Sequence, residues 1–436
     1  MNRLHPAKIT IIGAGSSSFS NLLGELVACR DLDGAQLGLV DPDADALDVM
    51  ERLGRRMARE WGRKTRVSAY EDRREALADA DFVITLVAVG GTKTWRQDQE
   101  IPARYGYHGH ACDSTGPGGL FRGLRLIPPL IDVCRDVEDV CPRALVINYS
   151  NPMTAVCRAL RKTTRARVYG LCTAGHLPTQ VARFLEINPS RVDVISGGLN
   201  HCVWALKISI DGKDSTERFH EEMRKRQGTG YYRSSVELLN LFGVWPMPGS
   251  GHVAEFFPYF YGDDPDGRTE GRYAFRDEGD GWGARVRRDR ERREKLRAQA
   301  DGREPLGGPS GESASEVVRM IVSVRSNRPG RFYVNVPNAG VVPNLPDEAI
   351  VEVPVMVDAT SVRAMHIGPL PTPIAGFMQA RWAYCELVAD AAIQRSKRVA
   401  LQALMADVNT TSIPRARKCF DAMFRAQKEY LPGFNP

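Results

Sequence analysis

The sequence predicts an α/β fold, with a parallel sheet in the first half and a mixed α+β region in the second. Three observations predict it. Short apolar strands alternate with helical stretches up to about residue 195. The first strand runs directly into a glycine turn, Gly13-Ala14-Gly15-Ser16-Ser17-Ser18, and then a helical pattern. After about residue 200 the alternation of strand and helix stops.

The strands of the first half read in order. Lys8 to Ile12 is short and apolar. Behind it, Gly13 permits a tight turn, and Gly15 and Ser16 let backbone approach a pyrophosphate at the positive end of the next helix. Ser18 stands at the third glycine position of the dinucleotide fingerprint. A second strand, Gln36 to Val40, ends in Asp41. A carboxylate there accepts from adenosine ribose hydroxyls and favours NAD over NADP. Asp81 to Val89 is nearly all apolar, as a parallel strand covered on both faces should be, and ends in Gly90-Gly91. Ala144 to Asn148 leads into Asn148-Tyr149-Ser150-Asn151-Pro152, and Arg167 to Leu171 ends at Cys172. Open α/β sheets bind ligands at the carboxyl ends of their strands, where all five of these stop at polar or glycine residues. The expectation is a Rossmann-like NAD domain over residues 1–195 and an α+β substrate and metal domain over residues 196–436.

In the second half, Trp204 to Ile210 alternates as a strand, and residues 215–243 read as helix with a break at Gly228-Thr229-Gly230. Residues 263–283 are polar and glycine-rich and read as a mobile loop. Arg331 to Pro337 and Ala349 to Val357 read as strands, and Pro373 to about Val408 as helix.

Composition excludes several classes. With 43% hydrophobic and 26% charged residues, the 436-residue chain can bury a sizeable core. The longest apolar run, Phe82 to Val89, is too short for a membrane helix. No apolar leader precedes the first strand, and nine cysteines occur with no CxxC pair. Both point to a reducing, cytoplasmic setting rather than a disulfide framework. The net charge is +6, and residues 285–297 alone hold eight basic and three acidic residues. That segment reads as a solvated helix face, with no motif for nucleic acid.

Candidate chemistry lies in three loops. The first is Cys172 with Gly197-Gly198-Leu199-Asn200-His201. A thiolate and an imidazole are metal ligands, and two of them suit a catalytic metal with open positions rather than a structural site. A buried cysteine and a capped histidine would show the same spacing. The second runs from Cys112 to Arg122. Its Asp113 can serve acid/base chemistry or cap a helix, and Arg122 can hold an oxygen-rich ligand. The third runs from His252 to Tyr261. Its Tyr259 can abstract a proton if a nearby cation favours the phenolate, or can pack as core with Phe256, Phe257 and Phe260.

Taken together these stretches resemble glycoside hydrolase family 4, the NAD- and metal-dependent glycosidases. The match runs through Ile11-Ile12-Gly13-Ala14-Gly15-Ser16, Glu100 to Gly106, Thr115-Gly116-Pro117-Gly118-Gly119, Asn148 to Met153, Gly170-Leu171-Cys172, Gly198-Leu199-Asn200-His201, Asn335-Val336-Pro337-Asn338, Asn344-Leu345-Pro346 and Val351 to Pro354. The resemblance implies a lactate/malate-dehydrogenase-like cofactor domain. It also implies metal ligands at Cys172 and His201, usually for manganese, and a substrate contact at Asn151. The implied mechanism is redox-assisted elimination, outside the usual two-carboxylate scheme. NAD takes hydride from sugar carbon 3, the proton on carbon 2 becomes acidic and is removed, the aglycone leaves, water adds, and the hydride returns.

Tyr259 is the first choice for the base and Asp113 the rival. Residues 113–125 look like the branch acting on unphosphorylated α-galactosides and α-uronides. An α-galactoside is the expected substrate, with an α-glucuronidase or α-galacturonidase as alternative. Two stretches depart from that branch, Thr173-Ala174-Gly175-His176 after Cys172 and Met247-Pro248-Gly249-Ser250 before His252. A 2-hydroxy-acid dehydrogenase is the rival on the same fold, and the Cys172/His201 pair with Asn151 separates the two. The resemblance also implies a homo-oligomer, a dimer or a tetramer.

Overall fold

The computed structural model describes residues 5–107, 112–172, 177–226, 232–260, 282–308 and 315–434. The expected helix break at 228–230, the departure at 173–176 and nearly all of the expected loop at 263–283 lie outside the described residues.

Thirteen strands form two sheets among the described residues. The first six are β1 (Lys8–Ile12), β2 (Gln36–Val40), β3 (Arg66–Ala69), β4 (Phe82–Thr85), β5 (Leu145–Asn148) and β6 (Arg167–Gly170). They pair parallel in the order β3-β2-β1-β4-β5-β6. That is the doubly wound order of dinucleotide-binding sheets, whose ligand crevice opens where the order reverses, between β1 and β4. Strands β1, β4 and β5 are almost wholly buried, because helices cover both faces.

β4 is shorter than the apolar run that predicts it. At Gly90 the chain turns through a left-handed conformation, φ 76°, and enters the helix Gly91–Ala103. β3 is an unexpected edge strand of four residues with only Val67 buried.

The second half does not build a separate sheet only. β7 (Val192–Leu199), β8 (Cys202–Ile210), β9 (Lys213–Asp214) and β10 (Trp245–Met247) form an antiparallel sheet. The expected boundary at 195/196 falls inside β7. β11 (Gly330–Pro337), β12 (Ile350–Val357) and β13 (Val362–Ala364) return to the first sheet, where β11 pairs antiparallel with β6 at Asn335↔Gly170. The result is one nine-stranded sheet drawn from both halves. A hydrophobic cluster spans it continuously, and a smaller one fills the space under β7, β8 and β10.

The single helix expected from Pro373 to Val408 is two, Thr372–Gln394 and Lys397–Ala406. Arg395 breaks it at φ 50° and the Ser396 side chain caps the second through Val399 N.

Candidate functional site

The glycine turn sits where the sheet order reverses. Gly13 adopts φ +93°, and a Cβ there would lie 2.5 Å from the Leu86 carbonyl oxygen at the end of β4. Its N–H donates to Val40 O at 2.9 Å. A Cβ on Gly15 would lie 2.7 Å from Asp41 Cγ. Glycine is therefore needed at both positions for the turn to nest against β4 and Asp41. Asp41 accepts from Gly15 N at 2.8 Å through one oxygen and from Asp43 N at 2.9 Å through the other. Each oxygen keeps a second lone pair for a ligand hydroxyl. The next helix, Phe19–Ala28, starts after Ser18, which makes no side-chain cap bond. Ser16 and Ser18 hydrogen-bond each other at 2.7 Å. The cradle thus fits a pyrophosphate at a helix N-terminus, with an acid beside it for a ribose.

A second group of side chains gathers where β6 meets the β7–β8 hairpin. Leu199 pairs with Cys202, so Asn200 and His201 form a two-residue turn, with His201 left-handed at φ 65°. The buried Glu352 of β12 accepts from Asn200 Nδ2 at 3.0 Å and holds the turn down on the sheet. The turn presents His201 to Cys172, two residues beyond β6, with Sγ 3.1 Å from Nε2. On the other side of the ring, Nδ1 lies 3.4 Å from Asp113 Oδ1 and 3.3 Å from Ser114 Oγ. Asp113 also accepts from Ser114 Oγ at 2.7 Å and from Asn151 Nδ2 at 3.2 Å. Arg122 Nε donates to the Asn151 carbonyl oxygen at 3.1 Å. Asn151 Oδ1 is buried with no hydrogen-bond partner among the described residues, an acceptor waiting for a donor.

Five of the residues singled out from the sequence, Cys172, His201, Asp113, Asn151 and Arg122, therefore form one connected set. The electrostatics follow from the contacts. Burial disfavours the His201 cation, but Cys172 and Asp113 outweigh it and hold the imidazole well above its ordinary pKa. Burial works to raise Asp113, and the His201 charge, then Arg122 and His252, outweigh it and hold the carboxyl well below the usual carboxylate range. The sulfur and the carboxylate thus flank the ring on opposite sides and favour positive charge between them, which a divalent cation on Cys172 and His201 would also supply. Two donors adjacent on one metal stand about 3.1–3.6 Å apart, for bonds near 2.3 Å to sulfur and 2.1 Å to nitrogen. The observed 3.1 Å lies at the edge of that range. Among the described residues no group of three or more His, Cys, Asp or Glu could hold a metal.

Tyr259 stands apart. Phe256, Phe257 and Phe260 are buried, but Tyr259 is 50% exposed, so it is not the core residue that the aromatic run also allowed. Its ring packs on Phe257 and Phe377, at 6.1 and 5.6 Å between centroids. Burial alone pushes its phenol above the ordinary value, the direction opposite to that a base requires. Among the described residues it makes no hydrogen bond to Cys172, His201 or Asp113.

Other groups were not singled out by the sequence. His252 lies with its ring centroid 4.4 Å from that of His201, planes 40° apart. Asp113 does not cap the helix Gly116–Val140, whose N-cap is Thr115. The loop that carries it is instead fixed by packing. A Cβ on Gly118 would lie 2.5 Å from Cys112 O, and one on Gly119 2.6 Å from Ser114 C. Asp407 accepts from Gly116 N and from Arg381, both at 2.8 Å, while Arg381 Nε donates to Phe256 O at 2.9 Å. Glu255 accepts from Cys112 N at 3.0 Å. The fully buried Arg381–Asp407 pair thereby ties the Asp113 loop to the His252 segment. Spacing alone could not have shown this, because Asp407 and Gly116 are 291 residues apart.

Fold and site together define an α/β enzyme with its reactive side chains gathered at the carboxyl edge of a dinucleotide-type sheet. A family model described as family 4 glycosyl hydrolase matches residues 8–186, and the model for that family's C-terminal domain matches residues 196–410. The chain belongs to glycosyl hydrolase family 4 and is a glycosidase.

Among curated relatives, it is 30% identical to an alpha-galactosidase of Bacillus subtilis over 98% of this chain and 99% of that protein. It is 28% identical to an alpha-galacturonidase of Thermoanaerobacter italicus over 99% of each. It is 31% identical to a 6-phospho-beta-glucosidase of Escherichia coli over 79% of this chain and 78% of that protein. Among solved structures, lplD of Bacillus subtilis superposes with TM-score 0.87 at 26% identity, covering 96% of this chain and all of that one. A 6-phospho-alpha-glucosidase from gut microorganisms, in complex with NAD and Mn2+, superposes at 0.84 and 22% identity over 99% of this chain and 100% of that one. A malate dehydrogenase of Plasmodium falciparum superposes at 0.52 and 13% identity over 89% of this chain and 99% of that one, which shows a shared fold.

Proposed function

We propose that this glycosidase hydrolyses an unphosphorylated α-galactoside, with NAD in the Gly13–Ser16 cradle and a divalent metal, manganese by preference, on Cys172 and His201. The observation that carries the reading is the connected set from Cys172 through His201 and Asp113 to Asn151. A glycosidase that relied on paired carboxylates would need no thiolate in its centre. When bound, NAD accepts and returns a hydride, and the metal stabilises negative charge on the sugar oxygens.

This chain's own residues supply the rest. Asp113, beside Nδ1, would keep the proton of His201 on that nitrogen when a metal is bound, and so leave the Nε2 lone pair to the metal. Asn151 Oδ1 accepts a sugar hydroxyl, and Arg122 holds the Asn151 backbone. Asp41 accepts the ribose hydroxyls of the cofactor. Asp113 already accepts from three groups and is held strongly acidic, so it makes a poor base. In this reading Tyr259 is the base at carbon 2: its half-exposed ring is open to a ligand, and its phenol, which burial raises, would need the charge of a bound cation to become phenolate.

The α-galactoside assignment draws on the alpha-galactosidase relative, which matches over nearly the whole chain. A panel of nitrophenyl glycosides with NAD, manganese and reductant tests it. Turnover of the α-galactoside supports the reading, and turnover confined to 6-phospho-sugars or to uronides contradicts it. The family resemblance also supports a dimer or tetramer, which light scattering tests. A monomer at working concentration would contradict that part.

A further inference from the structure

The basic segment at 285–297 plays no part in the chemistry above, and its position gives it one. It lies in the helix Trp282–Ala300, which belongs to the second half of the chain yet crosses the cofactor edge of the first. Asp289 accepts from Ser17 Oγ of the glycine turn at 2.7 Å. One turn further on, Arg292 Nη2 donates to Ser20 Oγ at 3.3 Å and to Asn21 Oδ1 at 3.2 Å, in the first turn of the helix Phe19–Ala28. At the other end Arg285 stacks 3.7 Å from the Trp95 ring centroid, and Arg122 of the sugar-side set lies 5.7 Å from the same ring. Arg285, Asp289 and Arg292 are spaced i, i+4, i+7 and so share one helix face. Seven residues of helix span about 10 Å, enough to run from the reaction-side loops to the phosphate turn.

We propose that this helix is the outer wall of the dinucleotide site and that Arg292 binds the pyrophosphate of the cofactor. The inference rests on the reading of the glycine turn as an NAD cradle. The helix N-terminus at Phe19 already attracts an anion, and the Arg292 guanidinium bonded to its first turn adds positive charge there, offset in part by the Asp289 carboxylate on Ser17. In this structure Arg292 bonds two neutral oxygens at long range. A phosphate oxygen offers it a shorter, charge-assisted and bidentate partner. Asp289 anchors the helix to Ser17, and the Arg285–Trp95 stack anchors it near Arg122. The second half of the chain thus contributes to cofactor affinity as well as to the sugar site.

The test is ligand affinity, read by tryptophan fluorescence and independent of turnover. The whole protein and two variants, Arg292→Gln and Arg292→Lys, are titrated with NAD, ADP and adenosine. Arg290→Gln is the control, since Arg290 points outward and pairs within the helix with Glu294. Arg292→Gln should weaken NAD and ADP about 10-fold, on the scale of one charge-assisted hydrogen bond, and leave adenosine unchanged. Arg292→Lys should fall between the two, and Arg290→Gln should match the parent. Equal affinity of parent and Arg292→Gln for NAD and ADP would overturn the proposal, as would an equal loss for adenosine, which marks a structural effect. Melting of the unliganded variants checks that they fold, and an unfolded Arg292→Gln passes the decision to Arg292→Lys. Failure of the parent itself to bind NAD would overturn the cofactor reading beneath it.

Discussion

His201 carries the most information of any residue in this chain. Its turn is set by strand pairing, its left-handed backbone by the two-residue hairpin, and its two ring nitrogens by Cys172 on one side and Asp113 on the other. The sequence offered Cys172 and His201 as possible ligands by residue type, a buried cysteine and a capped histidine fitted the spacing as well, and the resemblance to family 4 favoured the ligands. It could not show that Asp113 serves His201, since that contact spans 88 residues and depends on how the Gly116 helix packs. Asp113→Asn should therefore lower divalent-metal affinity by about 10- to 100-fold, as loss of a ligand's carboxylate partner does. Metal titration of the apo-protein measures it, and unchanged affinity would return Asp113 to an acid/base role. Tyr259→Phe should abolish exchange of solvent deuterium into product at carbon 2 while metal and NAD still bind. Exchange that survives there and vanishes in Asp113→Asn would reverse the two roles.

Among elements, the helix Gly116–Val140 shows where local signals mislead. Its start, Gly116-Pro117-Gly118-Gly119, reads as a ligand-wrapping loop because glycine and proline are poor helix formers. Packing overrides propensity. Proline is tolerated in the first turn, and the glycines admit the Cys112–Ser114 backbone at distances that no side chain would allow. Gly118→Ala should displace that loop and cut activity while leaving NAD binding intact. Thermal melts and NAD titration measured beside activity decide it, and full activity would contradict the packing argument.

The buried Arg381–Asp407 pair makes a second prediction at this scale. Removing one partner leaves a charge with no solvent and should cost about 3–5 kcal/mol. Denaturant melts of Asp407→Asn check it, and a loss below about 1 kcal/mol would show that the pair does not hold the loops. The short edge strand β3 was not legible, because four residues with one buried side chain carry no clear period.

For the whole molecule, the parallel strands β1, β2, β4, β5 and β6 were foreshadowed by five apolar runs ending at polar or glycine residues, while their order in the sheet was not. The return of β11, β12 and β13 to the same sheet was not, since antiparallel pairing across more than 160 residues leaves no local trace. That return makes the two halves share one sheet and the larger of the two hydrophobic clusters. Thermal unfolding should accordingly be a single transition, and NAD at about 100 times its Kd should add about 2.7 kcal/mol. Two transitions, only one of them shifted by NAD, would contradict the shared sheet.

In the proposed function the chain cleaves a glycoside by a hydride loan that leaves no net redox change, at a centre built on Cys172 and His201. Simultaneous measurement of released aglycone and of reduced nicotinamide, with metal present and then chelated, tests it most directly. Many aglycones per NAD, no build-up of NADH, and loss of turnover on chelation with NAD still bound are the expected results. Steady accumulation of NADH in step with product, or full activity of Cys172→Ala after exhaustive chelation, would contradict it.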